Sequence, residues 1–230
     1  MSEGLARDAN AAGYEARAAD FIVEAVATIV RQVAEGRRLD LIDIGGGDGY
    51  LFDRLRPSVQ TYVNVEPGDI ELSGVAAQRL RDPTYAALRC SAEEMPLYDG
   101  SADLVIAVAS MDHVPRPHRA LAEARRCLRP GGHLILTMNN RRSWWKALLG
   151  GTGYLRRREA RIATEHTVLW SLVELRGHVA EHFEIVSARS IVHFPYAPVV
   201  WRALLPISNV LGRRLLPRLG GHSIVVGRAH

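Results

Sequence analysis

The sequence predicts an α/β protein built on a parallel, doubly wound, Rossmann-like sheet. From residue 11 to residue 140, short apolar runs alternate with stretches of helical spacing. Several of the runs are apolar almost throughout instead of alternating, as strands are when helices cover both faces of a sheet. One run, Leu39-Asp40-Leu41-Ile42-Asp43-Ile44, ends in Gly45-Gly46-Gly47-Asp48-Gly49. A tight turn of that kind leads from a strand into a helix and lets a ligand touch bare backbone. The 230 residues, 47% of them apolar, are expected to form one domain over 1–230, with no internal repeat and no low-complexity segment.

The elements follow in order. Residues 11–34 place Ala18, Phe21, Ile22, Ala25, Ile29 and Val33 on one helical face. The strand at 39–44 and its glycine turn lead through Tyr50, Leu51 and Phe52 into a helix, whose free N–H groups would face a polar or anionic ligand. Residues 60–65 form a second strand that stops at Glu66-Pro67-Gly68, and 70–80 have helical spacing. Residues 85–90 are a third strand and 102–109 a fourth. A helix over 117–128 closes at Arg129-Pro130-Gly131-Gly132, and 133–138 form a fifth strand. Beyond Asn140 the pattern changes: 141–163 are basic and aromatic, 168–181 helical, 183–192 a strand, and 222–227 a last strand. Between these, 195–219 are apolar with arginines and four prolines.

The net charge of +4 hides a division. Residues 1–140 hold 15 Lys+Arg against 20 Asp+Glu, and residues 141–230 hold 14 against 5. The basic part suits nucleic acid, anionic lipid or an acidic substrate, or is a solvated face. Cys90 and Cys127 read as core residues of a reducing compartment rather than a disulfide pair. The N-terminus carries Glu3, Arg7, Asp8 and Glu15 and has no apolar leader. No uncharged apolar run reaches the ~18 residues of a spanning helix, so a cytoplasmic location is expected.

The glycine spacing narrows the ligand. A dinucleotide fingerprint needs G-x-G-x-x-G, but from Gly45 and Gly47 the third position is Tyr50, and from Gly46 the second is Asp48. No Lys-Ser/Thr pair follows, which excludes a Walker-type phosphate loop. What is present is acid-x-G-x-G-x-G: Asp43, Gly45, Gly47, Gly49.

That turn is one of several segments arranged as in a known family. The others are Glu66 closing the second strand, Ser91-Ala92-Glu93-Glu94-Met95-Pro96 after the third, and Ala102-Asp103-Leu104-Val105 opening the fourth. Ser110-Met111-Asp112-His113-Val114 follows the fourth strand, and Leu128-Arg129-Pro130-Gly131-Gly132 precedes the fifth. Together they resemble the class I S-adenosylmethionine-dependent methyltransferases, in the small-molecule branch of UbiE-like or type 11 domains. The resemblance covers about residues 10–140 well and the rest weakly. It implies a seven-stranded sheet with an antiparallel last strand, and S-adenosylmethionine as the cofactor. It also implies a cofactor-binding core over 10–140 and lid or substrate insertions at 141–165 and 195–219.

The resemblance assigns roles along the core. Glu66 accepts both ribose hydroxyls, each charge-assisted bond being worth ~1.5–3 kcal/mol. Gly45, Gly46, Gly47 and Gly49 let backbone approach the methionine part, while Asp43 organises the turn or faces the ammonium group through water. Ser91, Ala92 and Glu93 line the adenine. Many relatives carry Asp where Ser91 stands, so Ser91 is a shorter, neutral partner here. Pro67, Ala109 and Ser110 lie in matching segments beside the cofactor. Tyr14 matches a first-helix tyrosine that in relatives sits near the cofactor, with a packing role as its alternative.

Methyl transfer needs alignment, plus a base when the acceptor is a hydroxyl or an acidic carbon. His113, after the fourth strand, is the first candidate base or substrate-orienting residue, and packing over the cofactor is its alternative. His166 is the second candidate, with a solvated loop residue as the competing reading. Asp112 is read as a helix cap before Pro115. The acceptor is expected to be a small lipophilic or aromatic molecule. The stretch 195–219 lines its pocket, rests on a membrane surface, forms a homodimer contact or completes the core. Nucleic acid is not expected, because no Asn/Asp-Pro-Pro-Tyr/Phe motif follows the fourth strand, and no metal is expected. A module that binds the cofactor without catalysis is the non-enzymatic alternative.

Overall fold

The computed structural model describes residues 20–68, 78–149, 168–193 and 205–230. Tyr14 and His166 lie outside these residues, as do most of 70–80, 150–167 and 194–204. Seven strands form one sheet: β1 (Leu39–Ile44), β2 (Val59–Val65), β3 (Tyr85–Leu88), β4 (Ala102–Val108), β5 (Leu128–Asn139), β6 (Glu184–Ile191) and β7 (His222–Arg228). Their order is β3-β2-β1-β4-β5-β7-β6. The first five strands pair in parallel, and β7 runs antiparallel to both β5 and β6. The chain thus winds outward from β1 in one direction and then, from β4, in the other. The point of reversal, between β1 and β4, is where open α/β sheets hold ligands at their carboxyl edge.

Alternation along the strands builds two cores. Leu39, Leu41, Tyr62, Tyr85, Leu104 and Ile106 point to one face. There they meet Ile22, Val26, Ile29 and Val30 of helix α1 (residues 20–34), together with Leu51 and Phe52. Ile42, Ile44, Val65, Val105 and Ala107 point to the other face. They pack against Ala120, Leu121 and Ala124 of α3 (Pro117–Cys127) and against Leu172, Leu175 and Val179 of α5 (Leu172–Ala180). The start of α5 is fixed by a capping box. Ser171 Oγ accepts the Glu174 backbone N–H while the Glu174 carboxylate accepts the Ser171 N–H at 2.8 Å.

Several expected features differ. Helix α2 (Phe52–Leu55) has only four residues, because Pro57 follows and the chain tightens into a 3-10 turn over Arg56–Ser58. The ligand side of the glycine turn is therefore framed by the turn's own backbone and not by a long helix end. Leu128 already pairs with Ala102, so β5 starts at the end of α3, and the Pro130-Gly131-Gly132 stretch is absorbed as an irregular strand opening. Asp112 lies in a 3-10 turn (Met111–His113), and the residue capping α3 is Arg116, so Asp112 is not a helix cap. Cys90 falls just after β3 and is half-buried; Cys127 is buried in α3, and both thiols are free. Helix α4 (Trp144–Leu149) buries Trp145, whose indole N–H donates to Val192 O at 3.3 Å. Trp145 belongs to the core and not to a lid. Helix α6 (Leu205–Leu215) lies within the arginine-rich apolar stretch. No helix among the described residues is long and apolar enough to cross a membrane.

Candidate active site

A cavity of about 650 Å³ opens at the carboxyl edge of β1, β2 and β4. Its wall includes Ile44, Gly45, Val65, Glu66, Pro67, Ser91, Ala92, Glu93, Ala109, Ser110 and His113. Four segments distant in sequence therefore meet at the sheet's reversal point. A second cavity of about 450 Å³ lies against Asp53, Arg56, Arg79 and Asp82, contains none of the predicted residues, and is lined by ion pairs.

The floor of the larger cavity is the glycine turn. Gly45, Gly47 and Gly49 take positive φ of 69°, 55° and 82°. Gly45 needs its missing side chain twice over: its φ is left-handed, and a Cβ would overlap the Cβ of Ser110. The fit is locked from both sides, since Gly45 N–H donates to Val65 O at 2.7 Å and Ser110 Oγ donates to Ile44 O at 2.6 Å. Beneath Gly46 there is likewise no room, because a Cβ would overlap both Asp43 Oδ2 and Asn64 Oδ1.

Those two side chains head a buried polar cluster under the turn. Asp43 and Asn64 are register partners on β1 and β2, and both are fully buried. The Tyr62 hydroxyl donates to Asp43 Oδ2. Asn64 Nδ2 donates to Gly47 O at 2.8 Å and to the Tyr85 hydroxyl at 2.9 Å. The Tyr62 and Tyr85 rings stack, with centroids 5.5 Å apart, and Phe52 packs edge-on against both. Asp43 Oδ1 and Asn64 Oδ1 are buried with no hydrogen-bond donor among the described residues. Burial pushes the Asp43 carboxyl up to about 7; the Tyr62 hydrogen bond works against this, and the nearby Glu66 charge adds to it. Asp43 therefore supports the turn from below and does not line the cavity.

Glu66 reaches the cavity from the end of β2. Its Oε2 accepts the Gly47 N–H and its Oε1 the Gly68 N–H, both at 3.2 Å. Two backbone donors thus orient the carboxylate beside the turn and leave further lone pairs for a ligand.

The next wall, residues 91–97, is held by arginines. Ser91 Oγ accepts the Glu93 N–H at 3.2 Å, which closes a local turn. Glu93 is buried, and its carboxylate accepts the Arg116 backbone N–H at 2.9 Å and binds the Arg116 guanidinium. Burial acts to raise the Glu93 carboxyl, but the Arg116 bonds outweigh it and hold the group below its usual value. Arg126 donates to Met95 O at 2.9 Å and Leu97 O at 2.7 Å, and Glu123 accepts the Met95 N–H at 3.1 Å. Helix α3 thereby clamps this loop to the sheet.

After β4 the chain turns sharply at Ala109, a non-glycine residue at φ 51°. This sparsely populated conformation is held by its N–H bonds to Thr137 O (3.1 Å) and Oγ1 (3.0 Å). Ser110 and Met111 then turn inward, and His113 comes out exposed at the cavity rim with its N–H donating to Ser110 O at 3.0 Å.

Of the predicted residues, Gly45, Glu66, Pro67, Ser91, Ala92, Glu93, Ala109, Ser110 and His113 border one cavity. Asp43, Gly46, Gly47 and Gly49 form the turn and its support. Sequence reasoning missed Val114, Pro115 and Arg116, which also line the cavity; their only signal was their place just after the fourth strand. It also missed Tyr62, Asn64 and Tyr85.

A family profile described as a methyltransferase domain, of the type 11 class, matches residues 42–136. An uncharacterized methyltransferase of Mycobacteroides abscessus is 35% identical over 111 residues, covering 46% of this chain and 43% of that protein. The matched region thus spans less than half of that relative. Among solved structures, a chain of the Haloferax volcanii complex between the Trm112 methyltransferase activator and a methyltransferase superposes with a TM-score of 0.64 at 18% identity, covering 96% of each chain. An S-adenosylmethionine-dependent methyltransferase of Thermotoga maritima gives a TM-score of 0.60 at 20% identity, covering 96% and 97%. The sheet order, the glycine turn with Glu66 beside it, and these likenesses agree: residues 42–136 match a methyltransferase domain, on a fold like that of solved S-adenosylmethionine-dependent methyltransferases.

Proposed function

We propose that this chain transfers a methyl group from S-adenosylmethionine to a small lipophilic or aromatic metabolite, at an oxygen, nitrogen or carbon atom. The observation that carries the reading is Glu66, a carboxylate oriented by two backbone N–H groups at the wall of a cavity floored by the glycine turn. The residues fit the cofactor's chemistry. Glu66 would accept the ribose hydroxyls, Ser91, Ala92 and Glu93 would border the adenine, and the backbone of Gly45–Gly49 would meet the amino-acid part. Pro67, Ala109 and Ser110 complete the wall, and Asp43 sets the turn's shape and charge from beneath. When bound, the cofactor supplies a methyl group already activated by its sulfonium.

The chain must then align an acceptor and exclude water. His113, at the rim on the β4 side, takes the proton from a hydroxyl or acidic carbon acceptor. His166 remains the second candidate base, and Tyr14 keeps the place beside the cofactor that the resemblance gives it. The C-terminal part supplies the acceptor's surroundings. In α6, Ile207, Val210, Leu211 and Leu215 are exposed at helical spacing next to Arg213 and Arg214. This face suits a lipophilic acceptor, an anionic membrane surface or a second copy of the chain. The free thiols of Cys90 and Cys127 accord with a reducing cytoplasm.

Isothermal titration with S-adenosylmethionine and with NAD tests the cofactor. Binding of the first alone is expected, and Glu66→Ala should weaken it at least tenfold by removing a charged two-point contact. Binding of NAD alone would overturn the reading, and unchanged affinity in Glu66→Ala would misplace the ribose. Tight cofactor binding with no S-adenosylhomocysteine formed from any class of acceptor would favour the non-catalytic module.

A further inference from the structure

Outside the cavity, α3 and α5 bring two imidazoles and a carboxylate together. His118 is the second residue of α3, His178 stands in the last turn of α5, and Glu181 follows that helix as its C-cap. One Glu181 oxygen lies 3.6 Å from His118 Nδ1 and the other 3.4 Å from His178 Nδ1. The three potential ligand atoms all lie within 4.8 Å of one another. Among the described residues, no other three His, Cys, Asp or Glu side chains converge this closely. Trp170 backs the pair, its ring centroid 4.3 Å from that of His178 and 5.9 Å from that of His118. The two imidazoles stand at 89° to each other with centroids 4.6 Å apart.

We propose that His118, His178 and Glu181 form a binding site for a divalent transition metal, with zinc the best match. Two imidazoles and one carboxylate make a nitrogen–oxygen donor set that zinc accepts at about 2.0–2.2 Å, with a water completing the tetrahedron. Bonds of that length hold neighbouring donors about 3.3 Å apart, so the present separations need only small side-chain rotations. His118 and Glu181 are half-exposed and can make them. Calcium and magnesium prefer oxygen donors and fit this set poorly.

The site's consequence follows from what it would join. His118 lies two residues beyond Arg116, which lines the cavity together with His113, Val114 and Pro115. On the other side, Trp170 ends a short segment whose Val168 N–H donates to Asp112 O at 3.4 Å, and Trp170 O accepts the Arg141 N–H at 3.3 Å. A metal held by α3 and α5 therefore fastens the outer wall of the cavity to the C-terminal end of α5, against which Trp170 packs. It acts as a clamp at the cavity rim and does not touch the reacting groups.

Zinc titration of the full, untagged chain tests the site, with Co²⁺ absorption as a second measurement. One metal per chain is expected, together with the visible bands of four-coordinate cobalt and a higher melting temperature in zinc than in chelator. His118→Asn and His178→Asn should each weaken zinc at least tenfold and abolish the thermal shift. Their melting temperatures in chelator should match that of the native chain, which separates ligand loss from misfolding. Absence of binding at micromolar free zinc would overturn the proposal, as would zinc affinity unchanged in both variants, which would place the metal elsewhere.

Discussion

Replacing Asp43 by Asn removes a carboxyl that is fully buried beneath the glycine turn and raised by that burial from 3.8 to about 7. In the window between those values the unfolded chain has released the proton and the folded chain still holds it. The folded state then binds more protons, so stability falls as pH rises through the window, and the whole loss is present above about 7. Each pKa unit is worth about 1.36 kcal/mol, so ionised Asp43 costs the apo fold about 4 kcal/mol at pH 8. Asn at this position can still accept the Tyr62 hydroxyl, and its amide can donate toward the unpaired Asn64 Oδ1. Urea unfolding of both chains at pH 5 and pH 8 reads the difference. From pH 5 to pH 8 the stability of Asp43→Asn relative to the native chain should increase by about 3 kcal/mol, because most of the titration lies in that interval. This differential is insensitive to any fixed effect of the amide. A gap that stays constant with pH, or one that shrinks toward pH 8, would refute a buried, proton-holding Asp43.

Two further tests address the turn and the candidate base. Gly45→Ala places a Cβ against Ser110 at a left-handed φ, whereas a Cβ at Gly47, also left-handed, meets nothing within 4 Å. Gly47→Ala should therefore cost only the ~1–2 kcal/mol of the backbone conformation, and Gly45→Ala clearly more, with weakened cofactor binding; equal losses in urea unfolding would contradict the packing described for Gly45. His113→Ala should leave cofactor affinity intact while lowering turnover at least about a hundredfold with a hydroxyl acceptor. Full turnover in that variant would end the role as base.

The fold was legible because its signals are local. Runs such as Ala102–Val108 and Leu39–Ile44 are apolar over nearly every position, and the structure buries both faces of each. What lay outside local reach was where elements stop. Pro57 cuts α2 to one turn, and β5 gains five residues at its start because Leu128 finds Ala102 across the sheet. Trp145 illustrates the same limit. The family resemblance placed it in a lid or substrate insertion at 141–165, and its contact with Val192, 47 residues away, makes it core. The charge division has a similar explanation. Several described acids of the first 140 residues are tied to arginines, as Asp40 (3.0 Å) and Asp103 (2.9 Å) are to Arg129, which fastens the amino ends of β1 and β4. Among the described residues of the last ninety, Arg141 pairs with Glu174, whereas Arg189 is held below its usual value by burial and by the neighbouring Arg213.

The site divides along the same line. Glycines and Glu66 could be read because the turn's backbone chemistry is written in consecutive residues and in one strand end. The support beneath the turn could not, because it is written across strands. Parallel pairing sets Asp43 opposite Asn64 and Tyr62 opposite Tyr85. With a side-chain period of two, Tyr62 and Asn64 then share the face of Asp43, and a tyrosine and an asparagine that look like ordinary strand residues become the donors that fix the turn. A one-residue slip of β2 would send both side chains to the opposite face, where Ile42, Ile44 and Val65 form an apolar core. The geometry of the glycine turn therefore depends on sheet register as much as on its glycines. A chain carrying the same Asp43–Gly49 segment without hydrogen-bond donors at positions 62 and 64 would hold that turn, and any ligand above it, less firmly.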